Sequence, residues 1–294
     1  MGLRIRTNVS SLNAQRKLSE STDKLGVNME KLSGGFRINK AADDAAGLAV
    51  SENMRAKIRS MTQAKRNAND GVSMIQVAEA GMNEVSNILI RLRELSIQAA
   101  SDTIGNRERS FANKEYMQLI EEIDRIGSVT EFNGIRLLQG GNSEGTLESL
   151  TVHVGVGDGL VENKDTINLD LSNIIIKAEN FGINTEDGIG PVDPNDESFH
   201  RDQVAPKLKV LDDALNRVNG MRAELGAKQN RLNSTINNLA IAHENVSASK
   251  SRIKDLDFAA ETAEYTQNKI LQQGGVSVLS QASALPELVL GLLR

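Results

Sequence analysis

The sequence predicts a mainly α fold: a long antiparallel helical rod, packed like a coiled coil, with a small β-hairpin region and terminal coiled-coil helices. Three observations carry this. Two long segments repeat apolar residues at alternating steps of three and four, the spacing of helices packed side by side. Both ends repeat leucine or valine every seven residues. The composition also lacks the aromatic mass of a compact globule: aromatics are 3% of 294 residues, Trp and Cys are absent, and there are four prolines.

At the N-terminal end Leu18, Leu25 and Leu32 form the heptad stripe, with Met29 and Phe36 four places after the second and third. The matching stripe at the other end is Leu271, Val278, Leu285 and Leu292, with Pro286 predicting a kink or a helix start inside it. Isolated helices of this length are marginal in water, and neither stripe can be buried alone. Each Leu or Val gains roughly 1.5–3 kcal/mol once it finds a partner. The ends are therefore expected to order on association, with each other and with neighbouring subunits.

Between the first stripe and the first long helix lies LSGGFRINKAADDAAGLAVS, residues 32–51. It does not read as a phosphate loop. Gly34-Gly35 is followed by Phe36 and Arg37, Lys40 is followed by alanine, and no strand precedes the glycines. It does not read as a metal site either, because Asp43 and Asp44 are adjacent and lack a His or further acid at helical spacing. It reads as a joint. Gly34-Gly35 breaks the terminal helix, and Asp43-Asp44 cap or charge the start of the next.

The first long helix runs from about residue 45 to 100, with a seam at Ile75, Ala78, Met82, Val85, Leu89 and Leu92. A shorter helix near 107–127 carries Met117, Ile120, Ile123 and Ile126 on one side, and Asn133-Gly134 follows as a turn. Val152, Val154 and Val156, then Ile167, Leu169 and Leu171, alternate with polar or small residues as strands of a hairpin turning near 157–165. Residues 178–200, acidic and rich in Gly, Pro, Asn and Asp, read as an exposed loop. The second long helix has Val204, Leu208, Leu211, Leu215, Val218, Leu225, Leu232, Ile236, Leu239 and Val246, interrupted by Arg222, Gln229 and His243. At 1.5 Å per residue each long helix is on the order of 70 Å. The expected division is a terminal coiled-coil domain of residues 1–44 with 252–294, and a helical rod domain of residues 45–251. The rod domain has its β-hairpin near 145–175 and the exposed acidic loop near 178–200.

Charge is uneven. Residues 1–66 hold 13 Lys and Arg against 6 Asp and Glu, whereas residues 140–200 hold 12 acids against Lys164 and Lys177. The basic end does not read as a nucleic-acid surface, because its cations sit at helical periods among leucines with almost no aromatics to stack on bases. Without cysteine there is no disulfide, thiolate metal site or Cys nucleophile. His153, His200 and His243 are scattered, and HENVS at 243–247 has Ser247 where a zinc-protease helix carries its second histidine. No catalytic, cofactor-binding or metal-ligating set is predicted, so the expectation is a non-enzyme without cofactor. No apolar run has signal-peptide or membrane-span length, which predicts no membrane insertion and, for any export, a route without a cleaved signal.

The chain resembles the bacterial flagellins. At the N-terminal end the resemblance rests on LNAQRKLSES, EKLSGGFRINKAADDAAGLAVSE, QAKRNANDGVSMIQVAEAGMNE, ILIRLRELSIQAA, EEIDRI and TEFNGIRLL. At the other end it rests on LGAKQNRLNSTINNL, ASKSRIKDLDFAAETAE and ILQQGGVSVLSQASALPELVLGLLR. It covers roughly two-thirds of the chain, in order from both ends.

The resemblance implies a subunit that self-assembles into the helical flagellar filament for motility. Its termini would pair inside the filament, and it would be exported unfolded and polymerised at the tip. Implied partners are further copies of the chain, an export chaperone, and cap and junction proteins. The implied location is a secreted filament, extracellular or, in some bacteria, sheathed or periplasmic. Some flagellins are recognised by an innate immune receptor, and the matching positions are Arg91, Leu95 and Glu115: two charged contacts and an apolar anchor. The short middle implies that large outer domains are missing. QASALPEL departs from the usual Gln-Ala-Asn-Gln before the proline, and Gly274-Gly275 replaces the usual Ala-Gly. The alternative within the same apparatus is a hook-filament junction protein. An enzyme carried on a filament scaffold would need catalytic residues in 140–200, which offers no recognisable set.

Overall fold

The computed structural model describes residues 8–140, 149–157, 165–183, 188–191 and 203–292, with side chains described up to residue 284. Its elements in chain order are helices α1 (Val9–Gly34), α2 (Ala45–Ala99) and α3 (Asn106–Val129), followed by strands β1 (Glu131–Phe132), β2 (Ile135–Arg136), β3 (Ser149–His153) and β4 (Thr166–Asp170). A short 3₁₀ helix (Glu179–Phe181) precedes helices α4 (Ala205–Lys254) and α5 (Phe258–Leu292). The mainly α class with a small antiparallel β region is the one the sequence predicts. The chain divides into two compact units, Arg59–His243 and Met1–Ile58 with Glu244–Arg294.

The unit Arg59–His243 holds the apolar core. All six predicted seam residues of α2, from Ile75 to Leu92, are buried, and the same rhythm continues to Ser96 and Ala99. Ser96 is tolerated there because its hydroxyl donates to Leu92 O at 2.7 Å, a bond within the helix itself. Ile120 and Ile123 of α3 and Leu211, Val218, Leu225 and Leu232 of α4 join the same core, with Met117, Ile126, Leu215 and Ile236 packed at its margin. The turn between α2 and α3 is tied by buried Arg109. Its guanidinium donates to Ala99 O (2.9 Å), Ser101 O (2.9 Å) and Asn106 Oδ1 (3.0 Å). A cation at the carbonyl end of α2 satisfies orphan carbonyls and suits the helix dipole.

Asn133 (φ 51) and Gly134 (φ 78) both adopt the left-handed conformation. That pair matches the two-residue turn that joins antiparallel strands without splaying them, and β1 and β2 pair across it. The second hairpin pairs Leu150 with Leu169 and Val152 with Ile167. Its buried face is Val152, Val154, Ile167, Leu169 and Leu171, while His153, Asn168 and Asp170 are exposed. The residues predicted for its turn lie largely at 158–164, outside the described residues.

The exposed acidic loop expected at 178–200 needs correction over its first part. Ala178, Phe181, Ile183 and Ile189 are buried in the core. The Ala178 N–H donates to Asp124 Oδ1 (2.7 Å), and the Ile189 N–H donates to Asn113 Oδ1 (2.8 Å). The acidic and glycine-rich composition hid four apolar residues whose burial offsets the entropy of ordering an irregular segment. Residues 184–187 and 192–200 of that expected loop lie outside the described residues.

Candidate assembly site

The unit Met1–Ile58 with Glu244–Arg294 pairs α1 with α5, antiparallel. Asn8 caps α1, its side chain accepting from Ser11 N at 3.1 Å and donating to Ala282 O at 2.6 Å. Further along, the Ser21 hydroxyl donates to Asn268 O (3.2 Å) and the Gln272 amide to Thr22 Oγ1 (3.3 Å). Lys31 Nζ stands 4.0 Å from Glu261 Oε1. These crossings fix which faces meet.

On α1 the inward residues are Ser11, Ala14, Leu18, Ser21, Leu25, Asn28 and Leu32, in alternating steps of three and four. The predicted leucine stripe Leu18, Leu25, Leu32 is therefore the inner face, each half-buried. On α5 the inner face is different from the predicted stripe. It consists of Glu261, Tyr265, Asn268, Gln272, Gly275, Leu279 and Ala282. Leu271 and Val278 are each 55% exposed and lie outside that inner face, while the side chains of Leu285 and Leu292 lie outside the described residues. The heptad period holds on both helices, but on α5 the facing positions are polar or small and the larger aliphatic residues lie outside. A signal was present: a second 4–3 series, rich in small and amide side chains, runs beside the leucines.

The surface this leaves is apolar. Val9, Leu12, Val27 and Met29 of α1, with Phe258, Ile270, Leu271, Val276 and Val278 of α5, are all exposed large apolar residues. Scattered apolar surface is ordinary, but repeated exposure along two paired helices marks a face that another surface covers.

The joint residues divide their work. Gly35 is the C-cap of α1 at φ 70, and its N–H donates to Lys31 O at 2.8 Å. A residue with a Cβ is strained in that conformation, which is why glycine ends the helix. Gly34 is the last residue of the helix itself. Asp44 accepts from Gly47 N at 2.9 Å and so caps α2. Asp43 does not touch that helix end: its carboxylate accepts from Asn39 N (3.0 Å) and Lys40 N (2.9 Å) and holds the preceding turn. Those two N–H groups, Lys40 first, lower its pKa below the ordinary aspartate value. Ile38, buried, is the apolar plug of the same turn.

A second strand of chain completes the joint, and sequence reasoning missed it. Arg37 N donates to Lys254 O at 2.8 Å, Leu256 N donates to Gly35 O at 3.1 Å, and Phe36 and Asp255 form an antiparallel bridge. The Arg37 guanidinium reaches Ile253 O at 2.8 Å. Lys254 Nζ lies 5.3 Å from the centre of the Phe36 ring and 3.0 Å from Glu52 Oε1. Asp257 caps α5 through Ala259 N at 2.9 Å. The hint was the Asp-Leu-Asp between two helical patterns, a capping residue set in a break.

Of the three positions matched to a receptor surface, two come together. Arg91 and Glu115 form an exposed ion pair at 2.8 Å, with Glu94 also on Arg91 at 3.1 Å. Leu95 is 2% exposed and belongs to the core, so it offers no apolar anchor at the surface. Its position, seven residues past Ile88 and three past Leu92, puts it on the inner side of α2.

Comparison with known proteins places this geometry. The model of the bacterial flagellin N-terminal helical region matches residues 5–143, and that of the flagellin C-terminal helical region matches residues 208–293. A flagellin of Halalkalibacterium halodurans is 40% identical over 290 residues, covering 99% of both chains. A flagellar filament 33 kDa core protein of Treponema phagedenis is 40% identical over 299 residues, again 99% of each. A structure described as that of a flagellar hook-associated protein from Vibrio parahaemolyticus aligns with 72% of this chain and 100% of its own. Its TM-score is 0.58 at 16% identity, a likeness of fold.

Proposed function

The chain belongs to the bacterial flagellin family, and on that premise we propose that it is a structural subunit of the flagellar filament whose copies pack through the outward apolar side chains of paired α1 and α5. The observation that carries this reading is the set of exposed apolar residues Ile270, Leu271, Val276 and Val278, spread over the surface of a helix whose inner side is already occupied. Burying one such side chain between copies contributes roughly 1.5–3 kcal/mol, and the gain repeats at every subunit. Association also relieves the marginal stability of two long helices whose shared seam is largely polar.

A role of this kind needs no catalytic residue, and the family is a structural one. The chain lacks cysteine, which favours passage as an unfolded polypeptide, since no disulfide has to be avoided or reduced. Export in that form, protection of the apolar α5 by a chaperone, and polymerisation at the filament tip under a cap protein are the steps that accompany it. Among the described residues no helix is long and apolar enough to cross a membrane. The junction-protein alternative is not favoured, because the two relatives compared above, matched along nearly their whole lengths, bear the names of flagellins and filament core proteins.

The test is the full chain carrying Leu271→Glu and Val278→Glu. Helical content by circular dichroism should be retained and sedimentable polymer should be lost. Normal polymerisation of the doubly substituted chain would remove α5's outer face from the account.

A further inference from the structure

We propose that the antiparallel clamp between residues 35–37 and 253–257 sets the register of α1 against α5, a task the helix seam cannot perform by itself. The inference concerns the pairing of two helices in one chain and does not rest on the filament reading.

The seam is degenerate to a slip of one heptad. Leu18, Leu25 and Leu32 recur every seven residues, so a shift in one direction presents Leu25 to Gly275 where Leu18 now stands. Lys17, Lys24 and Lys31 recur with the same period, so a shift in the other direction presents Lys24 to Glu261 in place of Lys31. Most of the remaining inner positions are Ser, Ala, Asn and Gln, which pair adaptably, with Tyr265 and Leu279 of α5 the two larger side chains among them. Coiled-coil register is specified by residues that break the repeat. On α1 the repeat is preserved by both the apolar and the charged residues, and against it α5 sets only Tyr265 and Leu279 as large side chains that break the period.

The clamp breaks it. Its two backbone bonds, Arg37 N to Lys254 O and Leu256 N to Gly35 O, together with the Arg37 guanidinium on Ile253 O, join specific residues that have no heptad copies. It also has no slack. Gly35 is itself the cap of α1, and Asp257, next to Leu256, is the cap of α5. A seven-residue slip moves one helix by about 10 Å along the other. Neither connection has enough residues between clamp and helix to absorb that distance. Arg37, Lys254 and Leu256 are thus positioning residues: they act on the seam through the two helix ends they hold.

The chain's lack of cysteine makes the test direct. A Cβ built on Gly275 lies 3.8 Å from Leu18 Cβ, within the range a disulfide spans. The full chain carrying Leu18→Cys and Gly275→Cys reports the observed register. Leu25→Cys or Ser11→Cys, each combined with Gly275→Cys, reports a slip in one direction or the other.

Each pair is oxidised in the assembled protein and in dilute monomer. Each is placed in the otherwise native chain, in a chain with Arg37→Pro and Leu256→Pro, and in a chain with four glycines inserted between Gly34 and Gly35. The insertion leaves the clamp intact but gives it slack. In the native background only the 18–275 pair should close readily, the slipped pairs being at least about tenfold slower because their Cα atoms stand too far apart. In both altered backgrounds a slipped pair should close at a rate comparable with the 18–275 pair.

Retention of the exclusive 18–275 link in both altered backgrounds overturns the proposal, as does equal closure of slipped pairs in the native one. Loss of every cross-link in the altered chains also overturns it, since the clamp would then hold the helices together without choosing their register.

Discussion

Gly275 lies directly against Leu18: a Cβ on the glycine would stand 3.3 Å from Leu18 Cδ1, whereas one on neighbouring Gly274 would meet nothing within 4 Å. The adjacent glycines therefore do different things. Gly275 allows α1 to approach closely, and Gly274 only weakens the helix. Gly274→Ala should raise α5 stability by roughly 1 kcal/mol, the ordinary helix-propensity gain. Gly275→Val should push the helices apart and lower the melting temperature of the terminal unit. Thermal melts followed by circular dichroism check both; equal effects at the two positions would contradict the close approach.

Asp43 and Asp44 should separate by structural effect. Asp44→Ala removes the α2 cap and should cost about 1 kcal/mol in denaturant unfolding. The Asp43 carboxyl has a folded pKa below its ordinary value, because Lys40 and Asn39 N–H groups bond the ionised form. Its stabilising effect is then fully present above the ordinary carboxylate range and is lost as pH falls through the lower folded pKa. Asp43→Asn should be less stable than the native chain at neutral pH, with the gap closing on acidification. A gap that widens in acid would reverse the sign of this assignment.

Arg109 makes a structural prediction for the Arg59–His243 unit. Its three donated bonds end α2 and bind the α2–α3 turn, and removal leaves Ala99 O without that partner in a buried place. Arg109→Ala should destabilise the protein by about 3 kcal/mol, and Arg109→Lys should recover only part, since one ammonium cannot reach all three acceptors in the guanidinium geometry. Urea midpoints decide this, and a neutral Arg109→Ala would refute the tie.

Leu95 and Arg91 should behave oppositely. Leu95 is buried, so Leu95→Ala should cost 2–5 kcal/mol, on the order of other core leucine truncations. Arg91 pairs with Glu115 at the surface, and Arg91→Ala should change stability by less than about 1 kcal/mol. Any loss of a binding partner caused by Leu95→Ala should therefore appear together with lost stability, measurable in the same melt. A Leu95→Ala chain as stable as the native one would place the side chain outside the core.

These outcomes trace what was legible in the sequence. The α2 seam from Ile75 to Leu92 was readable because a helix with one buried face keeps its apolar period, and nothing competes with that signal. Asn133-Gly134 was readable because only a few residues accept the left-handed conformation its turn requires. Leu271 and Val278 were readable as a stripe but not as an outer one. Periodicity identifies a face without saying what covers it, and the seam opposite α1 is built from Gln272, Gly275 and Ala282, which hydrophobicity overlooks. The clamp at Phe36 and Asp255 was invisible for a different reason. Its bonds are backbone to backbone across a separation of more than two hundred residues, and side-chain identity hardly constrains them. Residues 178–183 and 188–191 differ from the expected exposed loop because composition averaged four buried apolar positions into an acidic stretch.

Assembly through the terminal helices is tested most directly by polymerisation of the chain cut before residue 254, against the full chain under the same salt conditions, by electron microscopy. The full chain should form long filaments while the shortened chain remains a soluble helical protein. Long filaments of native diameter from the shortened chain would contradict assembly through those helices.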